Sequence, residues 1–372
     1  MELNDYFKEI VNNVYMFKKE DLDKIKTSIT GSEIDTLDEL LETVTSKGLR
    51  SVMDKKLLAP SNDPHDYVSI SIYHWPNPNT KDGLPYIERD GVDNPESFKG
   101  DKEALRELAY ITYLAGVLYY ITKSEKYLDI ILRFNINWFI NEKTKMNPHI
   151  KYGQYIPGVN EGEPGAIIDY AASYGYALNV LSILNKEKFL PNEFVLKMQE
   201  WHKDFYVWLN SFERCLIIRD RNNNQSALYN LLVLNIARFI GSDSKIINEM
   251  NERLVNKINI QINDEGLLPE ELQRTKTKSY TTMGLKMLLE SARFLMDYGF
   301  TYNAIGKLLK SYEYMKPRYI NEFWDHEQIT YFDPFRGYYI LYLFSKVLND
   351  NLKLELIKKE NHFGYIFLRN LF

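Results

Sequence analysis

Residues 243–262 read DSKIINEMNERLVNKINIQI. Ile246, Ile247, Met250, Leu254 and Ile258 recur at helical spacing, with Asn, Glu, Arg and Lys between them. At 3.6 residues per turn this lays an apolar stripe along one side of a helix and a polar face along the other. Gly241-Ser242-Asp243, just before it, supplies a stop for one helix and a cap for the next. Similar stretches lie near 2–28, 35–47, 101–123, 124–141, 166–185, 191–211, 224–240, 280–298, 301–315 and 337–349. The joints, such as Thr122-Lys123-Ser124 and Tyr298-Gly299, are short and carry turn chemistry. Helical hairpins repeated this often predict an all-α chain, an α/α toroid or a helical solenoid. No fixed repeat period is present, which argues against the solenoid.

Two stretches break the helical pattern. Residues 59–100 hold Pro60, Pro64, Pro76, Pro78, Pro85 and Pro95, and residues 146–165 hold Pro148, Gly153, Pro157, Gly158, Gly162, Pro164 and Gly165. Loops this long inside a compact helical protein are functional or disordered. Tyr67, Tyr73, Trp75, Tyr86, Tyr152 and Tyr155 within them argue against disorder. We expect both to pack over one end of the helical body and form a cleft, with residues 1–372 making a single domain.

Composition narrows the partners. The 372 residues are 45% hydrophobic and 26% charged, an ordinary balance for a chain with a large core. The net charge of −5 gives no basic field for nucleic acid, and no apolar run is long enough to span a bilayer. We therefore expect neither a nucleic-acid nor a membrane partner. Cys215 is alone, so no disulfide framework forms, and no residue set has zinc spacing. The start, Met1-Glu2-Leu3-Asn4-Asp5, has no signal-peptide pattern. Aromatic residues reach 14%, with 28 Tyr and 19 Phe against 5 Trp. Tyrosine suits carbohydrate-facing grooves and wet cores alike.

The two loops also carry a resemblance. Asp66-Tyr67-Val68-Ser69, Tyr73-His74-Trp75-Pro76-Asn77-Pro78 and Asp82-Gly83-Leu84-Pro85-Tyr86-Ile87-Glu88-Arg89-Asp90-Gly91 resemble the opening signature of the alginate lyase family. Tyr152-Gly153-Gln154-Tyr155-Ile156-Pro157-Gly158 is similar to its second block. The stretch from Trp201 through Trp208 to Asn222-Asn223 resembles the helix leading into its catalytic loop. Leu268-Pro269-Glu270-Glu271-Leu272-Gln273-Arg274-Thr275 with Tyr280 resembles its arginine–tyrosine segment. Any one block is weakly specific, but four in order are strong.

The resemblance implies an (α/α) toroid, an incomplete barrel of helical hairpins, and β-elimination on a uronate-containing glycan with no cofactor. It makes Tyr280 the catalytic tyrosine, Arg274 the family arginine and Asn223 the asparagine that holds the substrate carboxylate. The family places histidine after that asparagine; here Asn224 stands there, followed by Gln225. An amide donates to a carboxylate but takes no proton at neutral pH. Tyr280 then serves as acid and also as base, with an arginine beside it favouring phenolate. Arg219, Arg221, Arg274, Lys276 and Lys278 offer the local positive charge that the whole chain lacks.

Each residue also has a structural reading. Asn222 to Asn224 suit a helix cap, which can itself present amides to an anion. Gln154 and Tyr152 either line the groove or satisfy their own loop. His74 and Trp75 form a sugar-stacking platform or pin the loop, and Arg89 binds a substrate carboxylate or pairs with Glu88 or Asp90. His74 and His326 are replacement bases only by default, and His202 reads as structural. Two other functions fit the same fold. A hydrolase needs paired carboxylates, from Asp66, Glu161, Asp169 or Glu270. A catalytically inactive glycan-binding module needs none.

Overall fold

The structure is a computed structural model that describes residues 14–242, 244–299, 304–350 and 363–371. It divides into two compact units, Thr30–Ile218 and Met1–Ile29 with Arg219–Phe372.

In Thr30–Ile218 the central element is the Lys102–Thr122 helix, buried on almost every side. It packs against Glu125–Asn135 and Tyr174–Lys186, which follow it in the hairpin order that the sequence predicts. Gly116 permits the close approach, since a Cβ there would meet Val180 Cγ1 at 2.6 Å. The two Pro/Gly-rich loops are ordered against each other. Val68–Ile70 pairs in parallel with Tyr152–Tyr155, and His74–Trp75 pairs antiparallel with Ile87–Glu88. Beneath them Asp101 accepts from the Val68 N–H at 2.9 Å and faces buried Lys55 at 3.3 Å. Burial outweighs the lysine and pushes the Asp101 carboxyl up to about 7.

In the other unit, Thr277–Leu295 lies between Asn224–Ile240 and Pro334–Val347. The chain's early residues are tied into it. The Met16 N–H donates to Tyr339 Oη at 3.2 Å, and Lys286 Nζ donates to the Val14 carbonyl at 2.7 Å. Asp21 accepts from Arg293 at 2.7 Å and from the Tyr342 hydroxyl at 2.6 Å, all three groups being buried.

The helix pattern survives with local corrections. Of the expected 2–28 helix, residues 2–13 lie outside the described residues, 14–18 form no regular element, and only Lys19–Ser28 is helical. Val14, Tyr15, Met16 and Phe17 are buried all round, so they fill core space and show no amphipathic face. The expected 124–141 helix gives way at Ile136–Ile140 to a wider π-turn. Expected 301–315 runs as Ile305–Ile320 and carries Pro317 near its end, while residues 301–303 and the expected cap Asp243 lie outside the described residues. Glu213–Asp220 and Phe363–Leu371 are helices that the periodicity did not give. Among the described residues, no single helix is long and apolar enough to cross a membrane.

Candidate active site

Asn223 caps the Asn224–Ile240 helix, its side-chain oxygen accepting from the Gln225 N–H at 3.2 Å. That contact leaves the Asn223 NH2 as a donor. Asn224 is 2% exposed and is held by Glu271. Its backbone N–H donates to Glu271 Oε1 at 2.6 Å, and its side-chain amide donates to Oε2. The helix start thus holds the chain's own carboxylate as its anion. Burial still raises the Glu271 carboxyl, against the two Asn224 donors and the nearby Arg274 charge. Adjacent residues on one turn point apart: Glu271 is buried, whereas Glu270 is exposed.

Three residues on, Arg274 is half-buried and turned toward Tyr280. Its Nη2 donates to Tyr280 Oη at 3.0 Å, and its guanidinium carbon lies 4.1 Å from the ring centroid. The segment between them is held by residues 327–329. Thr277 N–H donates to the Glu327 carbonyl at 3.1 Å, Ile329 N–H to the Thr275 carbonyl at 3.1 Å, and Lys276 bridges Gln328. These contacts start the helix at Thr277, three residues before the expected 280, so Tyr280 sits on its first turn.

The expected positive cluster is thinner than its sequence. Arg219 is neutralised by Asp220 through two 2.8 Å bonds. Lys278 is 5% exposed and points at the Phe323 carbonyl, so it gives no charge to the surface. Arg221 is exposed, with Nη1 on Gln225 Oε1 at 2.5 Å, and Arg274 and Lys276 are half-buried.

The remaining candidates lie in Thr30–Ile218, apart from His326 in the other unit. Gln154 adopts φ of +50°, donates its N–H to Ser69 Oγ at 2.8 Å, and reaches Asp169 Oδ1 at 3.3 Å. Asp169 is itself fully buried against Lys102 at 3.1 Å, with the Tyr67 and Ser69 hydroxyls donating to it. Tyr152 is 6% exposed and packs beside His149. Trp75 and Arg89 stay at the surface, the guanidinium 5.1 Å from the indole centroid. Trp75 Nε1 donates to the Val92 carbonyl at 2.9 Å. His74 lies on Ser71 Oγ at 2.8 Å, and His326 meets the Tyr314 hydroxyl at 3.2 Å. His202 is buried between Met198 and Tyr170, and burial lowers it to about 4. Asp66 is bound by Ser61, Asn147 and His149, so neither it nor Asp169 is an open acid.

Comparison with known proteins now decides the family. The alginate lyase family matches residues 51–310 of this chain. The chain belongs to the alginate lyase family. An alginate lyase from Bacteroides ovatus superposes on it with a TM-score of 0.81 at 28% identity, covering 90% of this chain and 91% of that one. Alginate lyase A1-III from Sphingomonas species A1 gives 0.52 at 15% identity, covering 86% and 89%. A histidine-to-alanine variant of alginate lyase A1-III, complexed with a tetrasaccharide, gives 0.55 at 14% identity, covering 86% and 82%. Both A1-III likenesses show the fold alone. No curated protein sequence matches. The fold class is therefore the all-α toroid class of the alginate lyases, and the protein is a polysaccharide lyase.

Sequence reasoning missed Glu271 as the partner of Asn224, and it missed residues 327–329. The signal for the first was present in the family block, Leu268-Pro269-Glu270-Glu271. Nothing local signals the second, because those bonds join segments about fifty residues apart.

Proposed function

We propose that this lyase cleaves a uronate-containing polysaccharide, alginate, polyglucuronate or a related acidic glycan, by β-elimination centred on Arg274 and Tyr280. The observation that carries the reading is the 3.0 Å bond from Arg274 Nη2 to Tyr280 Oη. A guanidinium donor on a phenolic oxygen stabilises the negative charge left when that oxygen loses its proton. The C5–H bond of a uronate is barely acidic, because its cleavage puts a second negative charge beside the carboxylate. Asn223 NH2, Arg274 and Arg221 neutralise that carboxylate. Tyr280 oxygen takes the C5 proton, the C5 electron pair forms the C4–C5 double bond, and the C4–O bond breaks. Protonation of the departing oxygen by the same phenol closes the cycle.

Asn224 then takes a positioning role. Its amide and backbone N–H hold Glu271, whose carboxylate lies near the Arg274 charge. Trp75, Arg89 and His74 are proposed contacts of the glycan. Gln154 and Tyr152 contribute by fixing the 146–165 loop on which such contacts depend.

The test is a panel of uronate polymers, followed by ultraviolet absorbance of the unsaturated product and by new reducing ends. Absorbance together with ends supports elimination. Ends without absorbance sink it in favour of hydrolysis.

A further inference from the structure

The segment that fastens the Arg274–Tyr280 stretch has an outer face with no assigned task. Residues 321–333 run from the end of Ile305–Ile320 to the start of Pro334–Val347, beyond the 51–310 region that matches the family. Their inner side is anchored. Gln328 accepts the Ser279 N–H at 3.2 Å and donates to Ser279 Oγ at 3.0 Å. Phe332 stacks on Tyr319 with centroids 6.2 Å apart and lies 4.8 Å from Lys278 Nζ. Trp324 Nε1 donates to Thr277 Oγ1 at 2.8 Å.

The outer side carries apolar surface that water would otherwise expel. Tyr331 is 78% exposed and Ile329 is 50% exposed. Ile329, two residues before Tyr331, is hydrogen-bonded to Thr275, the neighbour of Arg274. At about 3.3 Å per residue, the Tyr331 backbone lies no more than about 7 Å along the chain from Ile329, which is bonded to Thr275. Residues 328–332, Gln-Ile-Thr-Tyr-Phe, are themselves uncharged, between exposed Glu327 and Asp333, which caps the Pro334–Val347 helix. A pyranose presents a patch of C–H bonds on one face, which an aromatic ring covers well. The phenol tip can still bond a hydroxyl or carboxylate.

We propose that Tyr331, flanked by Ile329, is a sugar-stacking subsite that takes a uronate ring next to the one being cleaved. This inference rests on the assignment of elimination to Arg274 and Tyr280. The subsite contributes affinity and length preference and does no chemistry. Residues beyond the shared family region thus set how this member reads its polymer.

Tyr331→Ala and Tyr331→Trp are assayed on uronate oligosaccharides of increasing length, with product absorbance as the rate. Tyr331→Ala is expected to raise KM for long substrates about tenfold, with kcat within twofold and the shortest cleaved substrate unaffected. Tyr331→Trp restores the long-substrate KM. The same substitution in the Tyr280→Phe background, read by calorimetric binding of the longest oligosaccharide, separates this inference from the elimination assignment. Weakened binding there supports the subsite even if the wild-type protein yields no unsaturated product. KM and binding equal to the parent's at every length overturn it. A change in sedimentation with KM untouched also overturns it, and marks the strip as a self-association face.

Discussion

Two polar clusters in this molecule use similar residues for opposite ends. Around Asp169, a lysine, two hydroxyls and an amide converge on one fully buried carboxylate. Its charge is held below the usual carboxylate range by Lys102 and Ser69 against a large burial penalty. Arg274 and Tyr280 instead lie half-buried, with the guanidinium donating to the Tyr280 hydroxyl oxygen, which we propose loses and regains a proton during reaction. The first arrangement fixes the loops and leaves nothing for a substrate. The second leaves polar groups near solvent, where a substrate can reach them. The buried charge is matched at rest and builds structure; the proposed catalytic charge would be matched only when a proton leaves.

That contrast is exposed to direct attack. Tyr280→Phe is expected to lower kcat by about 10²–10⁴-fold while glycan binding and unfolding free energy stay close to the wild type's. Near wild-type turnover would end the assignment. Lys102→Met should do the reverse. It leaves Asp169 buried without its cation, at a cost of about 3–5 kcal/mol in denaturant unfolding, with kcat retained wherever the protein stays folded. A variant as stable as the wild type would show that the Asp169 cluster is not structural.

Asp101 gives a pH-dependent version of the same test. Its folded value of about 7 lies above the 3.8 of an unperturbed aspartate, so the folded state holds more protons between the two. Its contribution is fully present below about pH 4 and is lost as pH rises through 7. The slope is at most about 1.4 kcal/mol per pH unit. Unfolding midpoints of Asp101→Asn across that window should lack this slope, and an unchanged slope would refute the burial argument. Trp75→Ala is expected to be the mildest, raising KM by about three- to tenfold with kcat unchanged. A kcat effect of comparable size would refute a role confined to binding.

The sequence was most legible where local chemistry decides structure. Asn224–Ile240 begins and ends where expected, because Asn223 caps it and Gly241 stops it at φ of +78°. Glu213–Asp220, ERCLIIRD, escaped notice because its apolar residues are clustered in sequence and form no stripe. Thr277 starts its helix through bonds to a distant segment, which no local pattern carries. The site follows the same division. Arg274 and Tyr280 are candidates from their family block, and the structure brings the two side chains into contact. Asn224 was readable as a departure, but its carboxylate partner required the fold. Lys278 was misplaced because sequence neighbours on a helix face different directions, and its face is the buried one.

The ties from Val14, Met16 and Asp21 to Lys286, Arg293, Tyr339 and Tyr342 set an order of assembly on the ribosome. The Thr30–Ile218 unit is one uninterrupted stretch, and all of its partners have emerged once residue 218 clears the exit tunnel. The other unit must keep its first segment waiting through the synthesis of some three hundred further residues, since Tyr339 and Tyr342 come that much later. Val14 through Phe17 are apolar, so this waiting segment keeps apolar surface exposed until its partners have been made.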